Sequence, residues 1–204
     1  MNESIMHGLF PTPVLYSTTN REFTKKELDF VKKTHKDVIK NEGNLVSNNR
    51  YVLNEPAMAK IKLEIETAIQ EFMDKVISAK PDVKAVITQS WLNYTAENEY
   101  HHKHEHPNSF ISGVYYIDAD ETNDKIFFVK GGYQQIQIDP VDWNIWNSKS
   151  WWLSVKSGSV VVFPSHLSHY VESKKGDNIR CSLSFNTFLK GNIGEDIALT
   201  ALNI

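Results

Sequence analysis

From Asp82 onward the chain consists of short Val, Ile and aromatic runs separated by turn residues, and this stretch limits the fold more than any other feature. Runs of that length and composition form strands. The spacing predicts strands at Val83–Tyr94, Tyr100–His106, Ser112–Ile117, Lys125–Val129, Gln134–Ile138, Trp151–Val155, Ser159–Phe163, Tyr170–Ser173 and Ile179–Leu189. Gly131-Gly132, Lys156-Ser157-Gly158 and Lys174-Lys175-Gly176-Asp177 mark turns between several of them. A chain with about eight such strands behind a helical segment is expected to be mainly β, a jelly roll buttressed by two N-terminal α-helices.

The helices are read from their start signals. A short apolar stretch, Leu9 to Tyr16, supplies an N-terminal strand, and Thr24-Lys-Lys-Glu27 then matches a capping box. Leu28, Val31, Val38 and Ile39 follow near helical spacing, so this helix is expected to run to about Gly43. Asn54-Glu55-Pro56 opens a second helix whose face would be Met58, Ile61, Ile65, Ile69, Phe72 and Val76.

No linker or repeat divides the 204 residues, which predicts one domain: a strand and helical buttress over 1–80, a jelly-roll core over 81–190 and a tail over 191–204. A core of that size folds without staples. With 22 Lys+Arg against 25 Asp+Glu and a net charge of −3, the chain carries no overall electrostatic footprint for nucleic acid or an anionic membrane. The lone Cys181 rules out an intrachain disulfide and fits a reducing compartment, so a cytoplasmic location is expected. The opening MNESIMHGLFPTPV lacks the basic and apolar regions of a secretory signal, and no run approaches the ~20 apolar residues that span a bilayer.

Six of the eight histidines fall in two clusters, His101/His102/His104/His106 and His166/His169. In an extended strand alternate residues share a face, so His102, His104 and His106 would point one way and His101, Lys103 and Glu105 the other. An H-x-H pair on one face is a two-ligand metal clamp; the bland alternative is a hydrated polar loop before Pro107. The second cluster follows the apolar run Val160–Phe163, where a jelly roll would return a third ligand, His169, to the first pair.

In the last strand Ile179, Cys181, Leu183 and Phe185 alternate with Arg180, Ser182, Ser184 and Asn186. The apolar face packs against helices or the facing sheet. The polar face either meets water or lines the interior, where burying the Arg180 guanidinium requires an anion, preferably a carboxylate held bidentately. No acidic residue nearby in sequence offers itself. A tight turn at Gly176 would pair Tyr170–Ser173 with the last strand, opposing Val171 to Arg180 and setting His169 beside Arg180 and Ser182.

These residues together resemble the 2-oxoglutarate/Fe(II)-dependent oxygenase superfamily. The resemblance rests on His104-Glu105-His106, Ser112-Gly-Val-Tyr-Tyr-Ile117, Gly158 with Val161-Val-Phe-Pro164, His169 and, ten residues on, Arg180-Cys-Ser182. Leu9-Phe-Pro-Thr-Pro13, His104-x-His-Pro-Asn-Ser109 and Ser184-Phe-Asn186 are more closely similar to uncharacterised members from marine bacteria and phages, so the resemblance covers nearly the whole chain. It implies a double-stranded β-helix, a cupin-like jelly roll, holding Fe(II) by His104, His106 and His169. It further implies that Arg180 and Ser182, aided by Tyr116 and Asn93, bind 2-oxoglutarate as co-substrate with O2, releasing succinate and CO2 as a small-molecule or peptide substrate is hydroxylated.

The chain departs from the superfamily pattern at one position: His106 stands where a carboxylate is usual. Three neutral imidazoles leave an iron site one charge more positive, as in cupin dioxygenases. His102 with His104, or a bulge that brings Glu105 inward, are the other ligand sets the run permits. A three-histidine dioxygenase that makes no use of 2-oxoglutarate leaves Arg180 and Ser182 unexplained. A zinc hydrolase lacks an evident general base, and a non-catalytic binding jelly roll makes the histidines incidental. Trp143, Trp146, Trp151 and Trp152 sit on a long excursion between strands and are candidates for a substrate groove or for core packing.

Overall fold

The computed structural model describes residues 4–132, 136 and 138–204. Strand β1 (Leu15–Thr18) precedes helix α1 (Lys25–Thr34), and a hairpin of β2 (Val38–Lys40) and β3 (Leu45–Ser47) leads to helix α2 (Ala59–Phe72). The core strands are β4 (Lys84–Thr95), β5 (His101–His104), β6 (Ile111–Asp118), β7 (Lys125–Val129), β8 (Ser150–Ser154), β9 (Ser159–Pro164), β10 (His169–Val171) and β11 (Arg180–Lys190). A short pair, β12 (Asn192–Ile193) and β13 (Leu202–Asn203), follows. Of the strand expected at Gln134–Ile138, residues 134, 135 and 137 lie outside the described residues. No helix among those described is long and apolar enough to cross a membrane.

Two antiparallel sheets face each other, one of seven strands ordered β1-β9-β6-β11-β4-β3-β2 and one of four ordered β5-β10-β7-β8. Each face of the larger sheet has its own core. On the outer face Leu92, Tyr115, Leu183 and Phe185 pack against Ile61, Ile65, Ile69 and Phe72 of α2. On the inner face Val114, Tyr116, Val161 and Phe163 meet Ile126 of the smaller sheet. The alternation read from the last strand is this division: its apolar residues go to the helices and its polar residues go inside the sandwich.

Helix α1 begins as expected, with the Glu27 amide donating to the Thr24 hydroxyl (3.3 Å) and the Thr24 amide donating to the Glu27 carboxylate (2.7 Å). It does not reach Gly43. The helix stops at Thr34, whose hydroxyl turns back to the Phe30 carbonyl (2.9 Å), and β-branched Val38 and Ile39 enter the β2–β3 hairpin instead. In that hairpin's turn Gly43 takes φ +87°, and a Cβ there would fall 2.7 Å from the Tyr100 carbonyl oxygen. Helix α2 buries the expected face up to Phe72, but Val76 is 42% exposed. From Met73 to Ile77 the backbone becomes a π-helical turn, which rotates the face away from the core.

The expected hairpin between the last two strands is absent. Strand β10 pairs with β5 and β7 in the smaller sheet, while β11 pairs with β4 and β6 in the larger one. The connection crosses from one sheet to the other, held by amide bonds from Lys174 to the Glu99 carbonyl (2.7 Å) and from Asn98 to the Lys174 carbonyl (2.9 Å). His169 and Arg180 therefore come together across the sandwich and not side by side on one sheet.

Candidate metal centre

Arg180, Ser182 and Ser184 on β11 stand opposite Thr95, Asn93 and Trp91 on β4, and Ser182 also opposes Tyr116 on β6. Across the gap stand His104 on β5 and His169 on β10, which are themselves register partners. All of these except Trp91 line a single cavity. Trp91 does not line it; its ring centroid lies 6.0 Å from that of His106.

Strict alternation does not deliver the histidines. His169 opposes His104 but Val171 opposes His101, so β5 carries one extra residue, a bulge between these pairs. The bulge turns His101 toward the cavity together with His104, and their rings stack 4.6 Å apart. Strand β5 ends at His104, so His106 is placed by the following turn: its amide donates to the Ser165 carbonyl (3.0 Å), and Asn108 adopts φ +56°. Glu105 is exposed and points away from the cluster.

The nitrogens of His104, His106 and His169 lie within 4.8 Å of one another, and among the described residues no carboxylate joins them. His104 Nδ1 lies 2.8 Å from the His102 carbonyl and His169 Nδ1 lies 2.9 Å from the Leu167 carbonyl. A carbonyl only accepts, so each Nδ1 carries the proton and each Nε2 presents a lone pair. His169 Nε2 is 3.3 Å from His106 Nε2. Backbone carbonyls that fix the tautomer and orient the ring are the usual support of a metal-binding histidine. Burial, reinforced by the neighbouring imidazoles, pushes His169 down to about 3 and His106 down to about 4, and burial lowers His104 as well. The cluster is neutral near pH 7, which is the ligating form.

The turn carrying His106 is clamped to the segment carrying His169 by a hydroxyl network. Ser112 Oγ lies 2.8 Å from Ser165 Oγ and donates to Asn186 Oδ1 at 2.8 Å, while Ser165 Oγ donates to Ser109 Oγ at 2.8 Å. Asn186 belongs to the polar face read from the last strand, and Ser109 and Ser112 to motifs that carry the resemblance, whereas nothing in the sequence marks Ser165.

The anchor side differs from the expectation in one respect. Arg180 already has a buried partner: its Nη1 donates to Asp124 Oδ1 at 2.9 Å, and the side chains are 4% and 0% exposed. Asp124 sits just before β7, fixed by the Asp120 amide at 2.9 Å, so the pair joins the two sheets. Sequence reasoning missed it because 56 residues separate the partners and Asp120 to Asp124 reads as a polar turn. Asn93 Nδ2 donates to Ser184 Oγ (2.9 Å), leaving Asn93 Oδ1 as a buried acceptor without a partner among the described residues. The opposite amide orientation lets Ser184 donate to Oδ1 and turns Nδ2 into the cavity, as an anion would require. Burial raises the Tyr116 phenol far above its ordinary range, so it stays a donor.

The fold is a jelly roll in which two imidazoles from one sheet and a third from the turn after β5 converge across the sandwich from a buried guanidinium on the other sheet. Residues 89–186, which contain every candidate residue named above, match the family described as "Putative 2OG-Fe(II) oxygenase". This segment of the chain is similar to that family. Among solved structures the chain is similar to HygX from Streptomyces hygroscopicus with nickel, 2-oxoglutarate and hygromycin B bound (TM-score 0.59, 10% identity, 86% of this chain and 82% of that one). It is also similar to the α-ketoglutarate-dependent epimerase SnoN from nogalamycin biosynthesis (0.58, 10%, 88% and 81%). The carbocyclase SnoK of the same biosynthesis gives a similar match (0.59, 10%, 86% and 79%). These likenesses are of fold. No curated protein matches the chain by sequence.

Proposed function

We propose that the chain is a non-haem Fe(II)- and 2-oxoglutarate-dependent dioxygenase in which His104, His106 and His169 hold the metal. The observation that carries this reading is the converging triad itself, with two of its rings held by Nδ1–carbonyl bonds. Iron bound there supplies O2 chemistry coupled to oxidative decarboxylation of the keto acid to succinate and CO2. The protein's part is to bind and orient. Arg180 presents its remaining N–H groups to the far carboxylate of 2-oxoglutarate, with Ser182, Tyr116 and the inward-turned Asn93 amide as further donors. Phe163, its ring 4.6 Å from that of His169, keeps water from the inner side of the cluster. Hydroxylation of a small molecule or peptide entering past Trp91 is our reading of the outcome, and a cytoplasmic setting suits the buried thiol of Cys181. SnoN is an epimerase and SnoK a carbocyclase, so the fold hosts more than one outcome.

The Asp124–Arg180 pair favours a second reading, a three-histidine dioxygenase that makes no use of the keto acid, because the guanidinium charge is already balanced. Anaerobic addition of 2-oxoglutarate to Fe(II)-loaded protein separates the two. The first reading requires the visible charge-transfer absorption of a metal-chelated keto acid, and succinate release once O2 is admitted. Retained iron with neither signal would leave the second.

A further inference from the structure

We propose that His101, His102 and His104 form a second metal-binding set, open to the surface, that takes one borderline divalent ion such as Zn2+ or Ni2+ and competes with the interior triad for His104. The proposal rests on the interior reading above only in naming the competitor. Its own basis is geometric. The ligand nitrogens of His101, His102 and His104 lie within 4.8 Å of one another. Ring centroids are 5.3 Å apart for His101 and His102, 4.9 Å for His102 and His104, and 4.6 Å for His101 and His104. Consecutive strand residues would not gather in this way; the bulge in β5 does it by spending one extra residue between the pairs His169–His104 and Val171–His101.

The two sets differ in access. The interior one includes His169, only 4% exposed, whereas all three members of the outer one are half-buried. His101 and His102 border a surface groove shared with Glu42, Lys103, Tyr170 and Glu172, whose two carboxylates outnumber the single ammonium and favour an approaching cation. His101 also lines the interior cavity, so it forms the wall between groove and cavity. All-imidazole donation suits zinc, nickel and copper.

The sharing of His104 makes the sets exclusive. Its Nδ1 is committed to the His102 carbonyl at 2.8 Å, which leaves one ring nitrogen to give. The outer set is also the weaker. His101 and His104 stack within 15° of parallel, so His101 and His102 must rotate before their lone pairs converge. Two interior rings are already held in place by carbonyls. An ion held by the outer set would leave the interior with two of its three histidines, and an ion held by the interior would leave the outer set with two.

Zn2+ and Ni2+ titrations against a chromophoric chelator test this on four proteins: wild type, His101→Ala/His102→Ala, His106→Ala/His169→Ala, and the variant carrying all four changes. We expect one equivalent in each of the first three and none in the fourth, with the His106→Ala/His169→Ala protein binding at least tenfold more weakly than wild type. Absence of binding by that variant, with an unchanged circular dichroism spectrum, overturns the proposal. Two equivalents bound at once by wild type overturn the competition. If His101→Ala/His102→Ala binds nothing, it is the interior triad that fails.

Should the His106→Ala/His169→Ala protein not fold, His106→Gln/His169→Gln, which keeps the polarity and much of the volume of both side chains, decides instead. Zn2+ should still bind it with one equivalent, lost when His101→Ala/His102→Ala is added. Absence of Zn2+ binding by the folded His106→Gln/His169→Gln protein would refute the outer set.

Discussion

Replacing Asp124 by Asn tests the buried pair that joins the two sheets. The carboxylate is 0% exposed and the Arg180 side chain 4%, so solvent cannot compensate when one charge is removed. Breaking a buried pair by deleting one partner costs about 3–5 kcal/mol, because the other charge stays buried and alone. Asn keeps an acceptor for Arg180 Nη1 and the shape of the site, which puts Asp124→Asn near the lower end and Asp124→Ala near the upper. For a chain of this size each kcal/mol lowers Tm by about 2–4 °C, so the expected drop is about 6–20 °C. The structure adds a second, opposite effect. With its counter-ion gone, Arg180 becomes a stronger anchor for a carboxylate, and a ligand that binds only the folded state returns stability in proportion to its affinity. Thermal melts of wild type and Asp124→Asn, each with Mn2+ and with or without saturating 2-oxoglutarate under argon, measure both. The variant should start lower and gain more from the keto acid. A variant that melts with wild type would mean that the pair contributes nothing to stability, and one that gains less from 2-oxoglutarate would mean that Arg180 does not face its carboxylate.

Four further outcomes are expected. His104→Ala and His169→Ala should each lose iron affinity by more than the ~10–100-fold that removing a supporting partner costs, while exposed His7→Ala should be silent in the same anaerobic titration. His106→Asp should retain iron, His106→Ala should weaken it strongly, and exposed Glu105→Ala should leave it unchanged; loss on Glu105→Ala alone would exclude His106 as the third ligand. Ser112→Ala strands the Asn186 and Ser165 partners, so it should cost about 1–3 kcal/mol in a denaturant melt and loosen metal binding through the His106 turn, with Ser112→Thr partly restoring both. In chelator-treated protein the folded state holds His169 down to about 3 and His106 down to about 4, whereas the unfolded chain takes up those protons near 6.5. The stability these neutral imidazoles contribute is complete above pH 6.5 and declines as pH falls from there toward 4, so a Tm flat across that range would contradict their burial.

The strands of the sandwich were legible because they repeat with period two and end at turns; Lys125–Val129 is found at its expected bounds. That Arg180 and Ser182 share one face followed from that period, although the period alone left open whether that face met water or the interior, and the capping box fixed the start of α1. What the sequence conceals is long-range pairing. Nothing local says that the segment after His169 crosses to the other sheet, or that Asp124 meets Arg180 across 56 positions. The bulge in β5 has no glycine or proline to announce it, so alternation turned His101 away from His104 when in fact the two stack. Val38 and Ile39 matched helical spacing only by coincidence; their β-branched side chains belong to a hairpin.

The site's two halves belong to layers that are supported unequally. Helix α2 packs behind the larger sheet, whereas the outer face of the smaller one carries the cross-strand row Tyr170, Phe127 and Trp152. A keto acid bound to a metal that His104 and His169 would hold, and gripped by Arg180, would tie those layers together at a second place beside Asp124. Amide hydrogens report such ties directly. Those of β10 and β7 should exchange sooner than those of β11 and β6 in the free protein, and should slow the most when metal and 2-oxoglutarate are added together, with metal alone protecting only the strands that carry histidine.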